Sequence, residues 1–162
     1  MKKQIEIFIT LMILFTSCAS KPVNKNIELV GMIIDENNNP VNEYIVHCEN
    51  EFFEKQSVLT NENGLFVFSN VGLGNYTLSG EKNGYSKMNI EKYSLKDDSK
   101  ILCCQVSSCE YVLKNVLQRK KINDYEECIN LLNEIYCDEN SFEKKVVQYY
   151  KNFFLMKQNY GG

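Results

Sequence analysis

The sequence predicts a segregated α+β fold, with a seven-stranded antiparallel β-sandwich followed by about three α-helices. Two observations predict it. Between residues 27 and 107, apolar side chains alternate with polar ones, and turn residues recur about every 8 to 12 positions. From residue 108 onward, the apolar residues recur with helical spacing instead. A hydrophobic content of 44% and a charged content of 24% are typical of a folded globular chain.

Residues 1–17 are predicted to be a signal peptide. Two lysines precede an apolar run, Ile7–Phe15, which is shorter than the roughly 20 residues that span a membrane. The following Phe15-Thr16-Ser17-Cys18 resembles the lipobox of bacterial lipoproteins, with Phe15 where that family usually has Leu. The resemblance implies that Cys18 is lipidated, for example with palmitate, and becomes the mature N-terminus. The alternatives are a plain secretory signal cut near Ala19 and an uncleaved anchor.

Residues 18–26 are predicted to be a lipidated polar tether. Lipid on Cys18 would anchor the chain to a membrane of the bacterial cell envelope, facing the periplasm or the cell surface; two or more acyl chains anchor stably. The formal net charge of −3 argues against a nucleic-acid partner, because such partners are held largely by cationic side chains.

The β-rich region, residues 27–107, is divided by turn residues into seven predicted strands. The strongest turns are Asn37–Pro40, Asn61–Gly64 and Asn83–Gly84. The predicted strands are, in order, Ile27–Ile33, Val41–Cys48, Val58–Thr60, Leu65–Ser69, Tyr76–Leu78, Tyr85–Leu95 and Ile101–Val106. Phe66 and Phe68 are expected to point inward, with Val67 outward.

Glycines and aromatic residues of this region follow a fixed order. The motifs are Gly31-x-Ile33-x-Asp35, Asn39-Pro40-Val41, Thr60-x-x-x-Gly64-x-Phe66-x-Phe68-x-x-Val71, Gly74-x-Tyr76-x-Leu78 and Gly84-Tyr85. Together they resemble the carboxypeptidase regulatory-like domain, a transthyretin-like β-sandwich, over residues 27–95. The resemblance implies a mostly non-catalytic module that supports folding, acts as a spacer or mediates adhesion.

Three helices are expected near 108–121, 124–137 and 141–157, with Asp124 and Ser141 as N-caps of the last two. Residues 121–128 resemble the turn and second-helix start of a tetratricopeptide repeat, and Tyr160 follows Tyr125 by 35 residues, close to that family's period of about 34. Arg119 departs from the family, which prefers an aromatic there. The resemblance implies a repeat-like segment over 108–162; the alternative is a generic helical hairpin packed on the sandwich.

The last helix is expected to carry an apolar face that this chain leaves uncovered. That face consists of Val147, Tyr150, Phe153 and Phe154, which are therefore candidate partner-binding residues. A protein partner or self-association would cover it. The open alternatives are that the helices lean on the sandwich or that the gene model ends early.

No catalytic residue, metal ligand or cofactor is predicted. Residues 35–39 begin like a calcium loop, but Pro40 and Val46 stand where Gly and Glu would be needed. His47 is the single histidine, and no cysteine pair has C-x-x-C spacing. The disulfide pairing of the six other cysteines stays open: Cys48, Cys103, Cys104, Cys109, Cys128 and Cys137.

These observations predict a scaffold or protein-binding subunit that is not an enzyme. The alternative is a carbohydrate-binding or adhesion module that uses the sandwich loops. Exposed aromatic residues in the loops would favour this alternative, and Asn61–Gly64 and Asn70–Asn75 contain none.

Overall fold

A β-rich region precedes a helical one in the structure, a computed structural model that describes residues 27–96, 101–119 and 124–160. The predicted signal peptide and tether, with Cys18, lie outside these ranges. The strands are β1 (Ile27–Ile34), β2 (Ile45–Asn50), β3 (Lys55–Leu59), β4 (Leu65–Val71), β5 (Gly74–Glu81), β6 (Tyr85–Ser86), β7 (Met88–Leu95), β8 (Leu102–Gln105) and β9 (Ile135–Tyr136). The helices are α1 (Cys109–Arg119), α2 (Tyr125–Asn133) and α3 (Phe142–Tyr160).

The described strands form three sheets, ordered β4-β1-β8, β3-β2-β5-β7 and β6-β9. Seven strands were predicted, whereas the described residues contain nine. The predicted strand Tyr85–Leu95 is in fact two strands, and β9 comes from the helical region. The expected all-antiparallel pairing is also wrong at one place, because β8 joins the free edge of β1 in the parallel direction.

Alternating residues of the two larger sheets meet in one apolar core. Phe66 and Phe68 are each 1% exposed and their rings meet edge to face, with centroids 5.9 Å apart, whereas Val67 is 43% exposed. The predicted inward and outward directions are therefore confirmed. Gly31 lies against the ring of Phe66, and a methyl group there would collide with it. The glycine and the phenylalanine of the sequence motif thus belong to one close contact between neighbouring strands.

Backbone pairing fixes the helical region to one end of the sandwich. Tyr85 and Ser86 of β6 pair with Tyr136 and Ile135 of β9. Gly84 connects both regions, since its N–H donates to the carbonyl of Tyr136 at 2.9 Å and its own carbonyl accepts from the N–H of Cys109 at 2.7 Å. The second helix therefore ends at Asn133 instead of residue 137, because the next residues pair as a strand. The helices themselves pack mainly on one another, and strand pairing and hydrogen bonds hold the helical region at the sandwich.

Side chains cap two of the helices. Ser141 precedes α3 and its Oγ accepts from the N–H of Lys144 at 3.1 Å, as predicted. Asp124 makes no such bond to α2; its carboxylate lies 3.6 Å from the guanidinium of Arg119 instead. The second cap is at α1, and it connects that helix to the sandwich.

The start of α1 is held by a carboxylate of the sandwich. Ser108 caps α1 through its Oγ, which lies 3.2 Å from the N–H of Tyr111. Glu36 accepts hydrogen bonds from both the N–H (2.9 Å) and the Oγ (2.6 Å) of Ser108. Hydrogen bonds to a charged acceptor that is partly shielded from water are stronger than neutral ones. Glu36 therefore joins the turn after β1 to the helical region.

Replacing Glu36 with alanine is expected to destabilise the helical region by roughly 1–3 kcal/mol, since two donors of Ser108 lose their charged acceptor. Hydrogen exchange of α1 amides, together with urea unfolding, measures the loss. Glu62→Ala, in the exposed turn between β3 and β4, is the matched control and should change little. Equal exchange in both variants would show that the contact contributes nothing.

Candidate functional site

The predicted partner face of α3 is largely covered by this chain. Val147 and Phe154 are buried in a helical core, and Tyr150 and Phe153 are half-buried against it. The ring of Phe154 stacks on Tyr125 of α2, with centroids 6.1 Å apart. The expectation that the chain leaves this face uncovered is therefore wrong for Val147 and Phe154. The preceding helix, α2, covers the face that a following helix was expected to cover.

An apolar groove of about 660 Å³ lies instead between α1 and the start of α3. Its floor and walls are mainly side chains without charge, and a few charged groups of both signs form its rim. The lining residues are Cys109, Glu110, Leu113, Lys114, Leu117, Gln118, Phe142, Glu143 and Val146. We call this feature the helical groove. Phe142 and Leu117 are its most exposed apolar residues, at 76% and 40%.

Helical spacing explains why these residues share one surface. Leu113 and Leu117 are four residues apart on α1, and Phe142 and Val146 are four apart on α3, so each pair lies on one side of its helix. Leu113 and Leu117 belong to the apolar residues with helical spacing after residue 108, but nothing in the sequence singles them out. Phe142 was missed because it stands alone beside the cap residue Ser141.

One rim carboxylate of the helical groove also connects the groove to the sandwich. Glu143 lies in the first turn of α3 and accepts a hydrogen bond from the side chain of Asn83 at 3.2 Å. Its own backbone N–H, at the positive end of the helix, and the amide of Asn83 lower the pKa of Glu143 below its usual value. The group is therefore ionised at neutral pH, and it fixes a negative charge at this end of the groove.

A second exposed apolar surface lies at the end of the sandwich that is opposite to the helical region. It consists of residues 51–54, between β2 and β3, and residues 70–75, around the β4–β5 turn; we call it the sandwich tip. Phe52 and Phe53 are 75% and 84% exposed, and Leu73 is 51% exposed. Phe52 and Leu73 line the same cavity of about 280 Å³. Residues 70–75 of the tip contain no aromatic residue, as predicted, and both exposed rings come from the β2–β3 hairpin, which was missed as a candidate loop.

The signal that could have found the tip is the run Glu51-Phe52-Phe53-Glu54. Two adjacent aromatic residues cannot both face a core in an alternating strand, and acidic neighbours are rare in a buried position. A turn that exposes both rings to solvent accounts for the adjacent aromatic residues and leaves both acidic neighbours in water.

Other candidate residues serve the fold. The carboxylate of Asp35 accepts hydrogen bonds from the N–H groups of Asn37 and Asn39, both at 2.8 Å, and so builds the turn that resembles a calcium loop. Burial alone would raise its pKa, but the hydrogen bonds from the side chain and backbone of Asn39 and from Asn37 lower it. In the described ranges, no three His, Cys, Asp or Glu side chains form a group that could hold a metal ion.

His47 forms one polar contact on the β2–β3 pair. Its Nδ1 lies 2.7 Å from the Oγ of Ser57, the residue directly opposite on β3. Burial and the neighbouring Lys55 ammonium lower the pKa of His47, so the ring is neutral at pH 7. The contact is a cross-strand hydrogen bond of the kind that stabilises a sheet.

The cysteines of the described residues have free thiols. Burial raises the pKa values of Cys48, Cys104 and Cys109 to about 11, so these thiols stay protonated at neutral pH and are poor nucleophiles. Cys109 lines the helical groove and contributes apolar surface there.

In the part of the chain that the structure describes, no helix is both long enough and apolar enough to cross a membrane.

No protein-family model matches the chain, and no curated protein does. Among solved structures, the TIE protein of Bacillus anthracis is 23% identical over 50% of this chain and 16% of its own, with a TM-score of 0.40. A cohesin–X-dockerin complex of Acetivibrio cellulolyticus is 19% identical over 58% of this chain and 72% of that one, with a TM-score of 0.42. A streptococcal ancillary pilin is 13% identical over 51% of this chain and 29% of its own, with a TM-score of 0.43. This chain thus spans less than a third of the first and the third of these proteins.

Proposed function

We propose that this chain is a non-catalytic lipoprotein of the bacterial cell envelope, anchored through lipid on Cys18, which binds a protein partner in its helical groove. The single observation that carries the binding role is the uncovered apolar lining of that groove. Phe142 and Leu117 are exposed and both line this one groove, whereas the helical core beside it is buried. Contiguous apolar surface of this kind usually marks an interface.

The occupant that fits the helical groove is an apolar segment of a protein. Two leucines of α1 and Phe142 of α3 line the same groove, which suits an amphipathic helix or an extended segment with spaced apolar anchors. Lys114 and Glu143 on the rim would fix its direction by pairing with charges of the opposite sign. The interpretation of residues 108–162 as tetratricopeptide-like belongs to this proposal, because such helices bind protein segments.

The sandwich serves as a spacer in this proposal. Strand β1 starts beside the sandwich tip, where Ile27 pairs with Val71, and ends beside the helical region, where Glu36 bonds Ser108. Eight residues of β-strand rise roughly 25 Å. The length of β1 therefore separates the helical region from the tip by about that distance, and an anchor before Ile27 would attach the chain at the tip end. This role is in keeping with the resemblance of residues 27–95 to carboxypeptidase regulatory-like domains.

No step of catalysis enters the proposal. Its support is that the residues with the most reactive chemistry have structural roles: Asp35 builds a turn, His47 pairs across a sheet and three thiols are buried with raised pKa values.

The second candidate function is carbohydrate binding or adhesion through the sandwich loops. The exposed rings of Phe52 and Phe53 favour it, because aromatic faces are common platforms for sugars. It concerns the sandwich tip and leaves the helical groove unexplained.

The groove proposal predicts that Leu117→Glu abolishes recovery of a partner when the chain is extracted from native membranes in mild detergent and purified. A carboxylate at this position would be desolvated by any apolar occupant, which is strongly unfavourable. Leu155→Glu is the matched control, because Leu155 is 44% exposed against 40% for Leu117 but lies outside the groove lining.

The expected result is a protein that accompanies the wild type and Leu155→Glu but not Leu117→Glu. If the accompanying protein is a second copy of this chain, the helical groove is a self-association surface. Equal recovery with both variants, or a wild-type chain that is extracted alone as a monomer, would contradict the proposal.

A further inference from the structure

The sandwich tip presents its apolar side chains in a rigid arrangement. The Oδ1 of Asn50 accepts hydrogen bonds from the N–H of Phe52 at 2.9 Å and of Glu54 at 3.0 Å. Its Nδ2 donates to the carboxylate of Glu54 at 2.8 Å. Phe53 is held at a φ of 64°, a left-handed conformation that is unfavourable for a bulky residue. The turn therefore holds both rings in solvent, against their tendency to be buried.

The course of the chain places this tip next to the predicted anchor. Ile27, the first described residue, pairs with Val71, and the residues on either side of Val71 line the tip cavity. Eight residues separate Cys18 from Ile27. Even when fully extended, such a segment reaches only roughly 30 Å. Lipid on Cys18 would thus keep Ile27 and the tip beside it within roughly 30 Å of the bilayer surface, while the helical region lies at the far end of β1.

We propose that the sandwich tip contacts the lipid surface in which Cys18 is anchored, with Phe52, Phe53 and Leu73 in the interfacial layer. This inference rests on the anchor of the proposed function. Aromatic and aliphatic side chains at a tip gain from this layer because their apolar surface leaves water without deep insertion. Contact at two points, the acyl chains and the tip, fixes an orientation in which the helical groove faces away from the membrane.

The bonding within the tip favours lipid over a glycan as its occupant. A sugar would need polar side chains beside the aromatic rings to receive its hydroxyl groups. The amide of Asn50 and the carboxylate of Glu54 are instead bonded to each other and to the turn. The large apolar side chains of the tip, Phe52, Phe53 and Leu73, are more than half exposed, which matches a lipid interface.

The charge of the tip determines which lipid headgroups it can approach. Glu51 and Glu54 flank the two phenylalanines, and Lys55 is the one cation between residues 50 and 55. A negatively charged leaflet repels this arrangement, whereas a zwitterionic leaflet does not. The tip should therefore contact phosphatidylcholine or phosphatidylethanolamine more closely than phosphatidylglycerol.

The absence of tryptophan from the sequence allows a direct test with one introduced fluorophore. Phe52→Trp places it at the tip, and Tyr149→Trp places it on α3 as the control, since Tyr149 is 66% exposed against 75% for Phe52 and lies outside the groove lining. The full chain is purified from membranes and reconstituted into phosphatidylcholine vesicles with brominated acyl chains. Flotation of the vesicles reports the anchor separately.

We expect the Phe52→Trp variant to lose emission by about twofold in brominated vesicles and to be protected from iodide, because its ring enters the interface. The Tyr149→Trp variant should stay accessible to iodide. Phosphatidylglycerol vesicles should weaken the Phe52→Trp effect. A chain that floats with the vesicles while Phe52→Trp is unquenched would overturn the tip contact alone, whereas a chain that does not float would overturn the anchor with it.

A soluble N-acetylglucosamine oligosaccharide distinguishes the glycan alternative. If it protects Phe52→Trp from iodide in the absence of lipid, and brominated vesicles have no effect, the tip is a sugar site and the lipid proposal is wrong. If only the vesicles act, the lipid proposal is supported.

Discussion

Phe66→Ala and Phe68→Ala should each lower the free energy of unfolding of the sandwich by roughly 3–5 kcal/mol. Each removes a large ring that is 1% exposed, and the surrounding sheets can collapse only in part around the space. Because domains of this size are commonly stable by only about 5–15 kcal/mol, either change could unfold much of the population. Urea unfolding followed by circular dichroism measures the loss.

Val67→Thr is the control for this pair. Val67 lies between the two phenylalanines on β4 but is 43% exposed, so its substitution should change the unfolding free energy by less than about 1 kcal/mol. Equal stability of all three variants would contradict the assignment of Phe66 and Phe68 to the space between the sheets.

Phe154→Ala should have an effect of similar size, roughly 3–5 kcal/mol, on the helical region. Phe154 is fully buried and its ring contacts Tyr125, Tyr150 and Phe153, with centroid distances between 5.3 and 6.2 Å. The helical core is a cluster separate from the sandwich core. Amide exchange should therefore accelerate first in α2 and α3, before that of β4 and β5.

Leu155→Ala, next along α3, is the matched control because Leu155 is largely exposed. If Phe154→Ala were as stable as Leu155→Ala, the face of α3 would be uncovered, as the sequence had suggested, and the observed packing on α2 would be wrong.

The sequence allowed much of the fold to be predicted because period and turn chemistry are local. Alternation around Phe66 and Phe68 located β4 and its inward face, and Ser141 located the start of α3. The end of α2 was not predictable in this way. Ile135 continues the helical spacing of Leu132, yet it pairs with Ser86 in β9. A pairing between residues 49 positions apart overrides the local pattern there, and the sequence holds no sign of it.

The candidate surfaces were harder to predict because exposure depends on which neighbour covers a residue. The spacing of Val147 and Phe154 predicts a helix face that is buried. The spacing is the same whether α2 or another chain buries that face. Phe142 became a candidate only when the structure placed it across from α1. Phe52 and Phe53 could have been noticed, since adjacent aromatics between acidic residues do not fit a buried strand.

Anchoring at Cys18 underlies the scaffold role, the spacer role of the sandwich and the orientation of its tip. The most direct test compares the wild type with Cys18→Ser in cells that are fed labelled palmitate, followed by membrane fractionation. The account predicts a labelled wild-type chain in the membrane fraction and an unlabelled Cys18→Ser chain that is released from it. A Cys18→Ser chain that still incorporates label and remains entirely in the membrane fraction would contradict it.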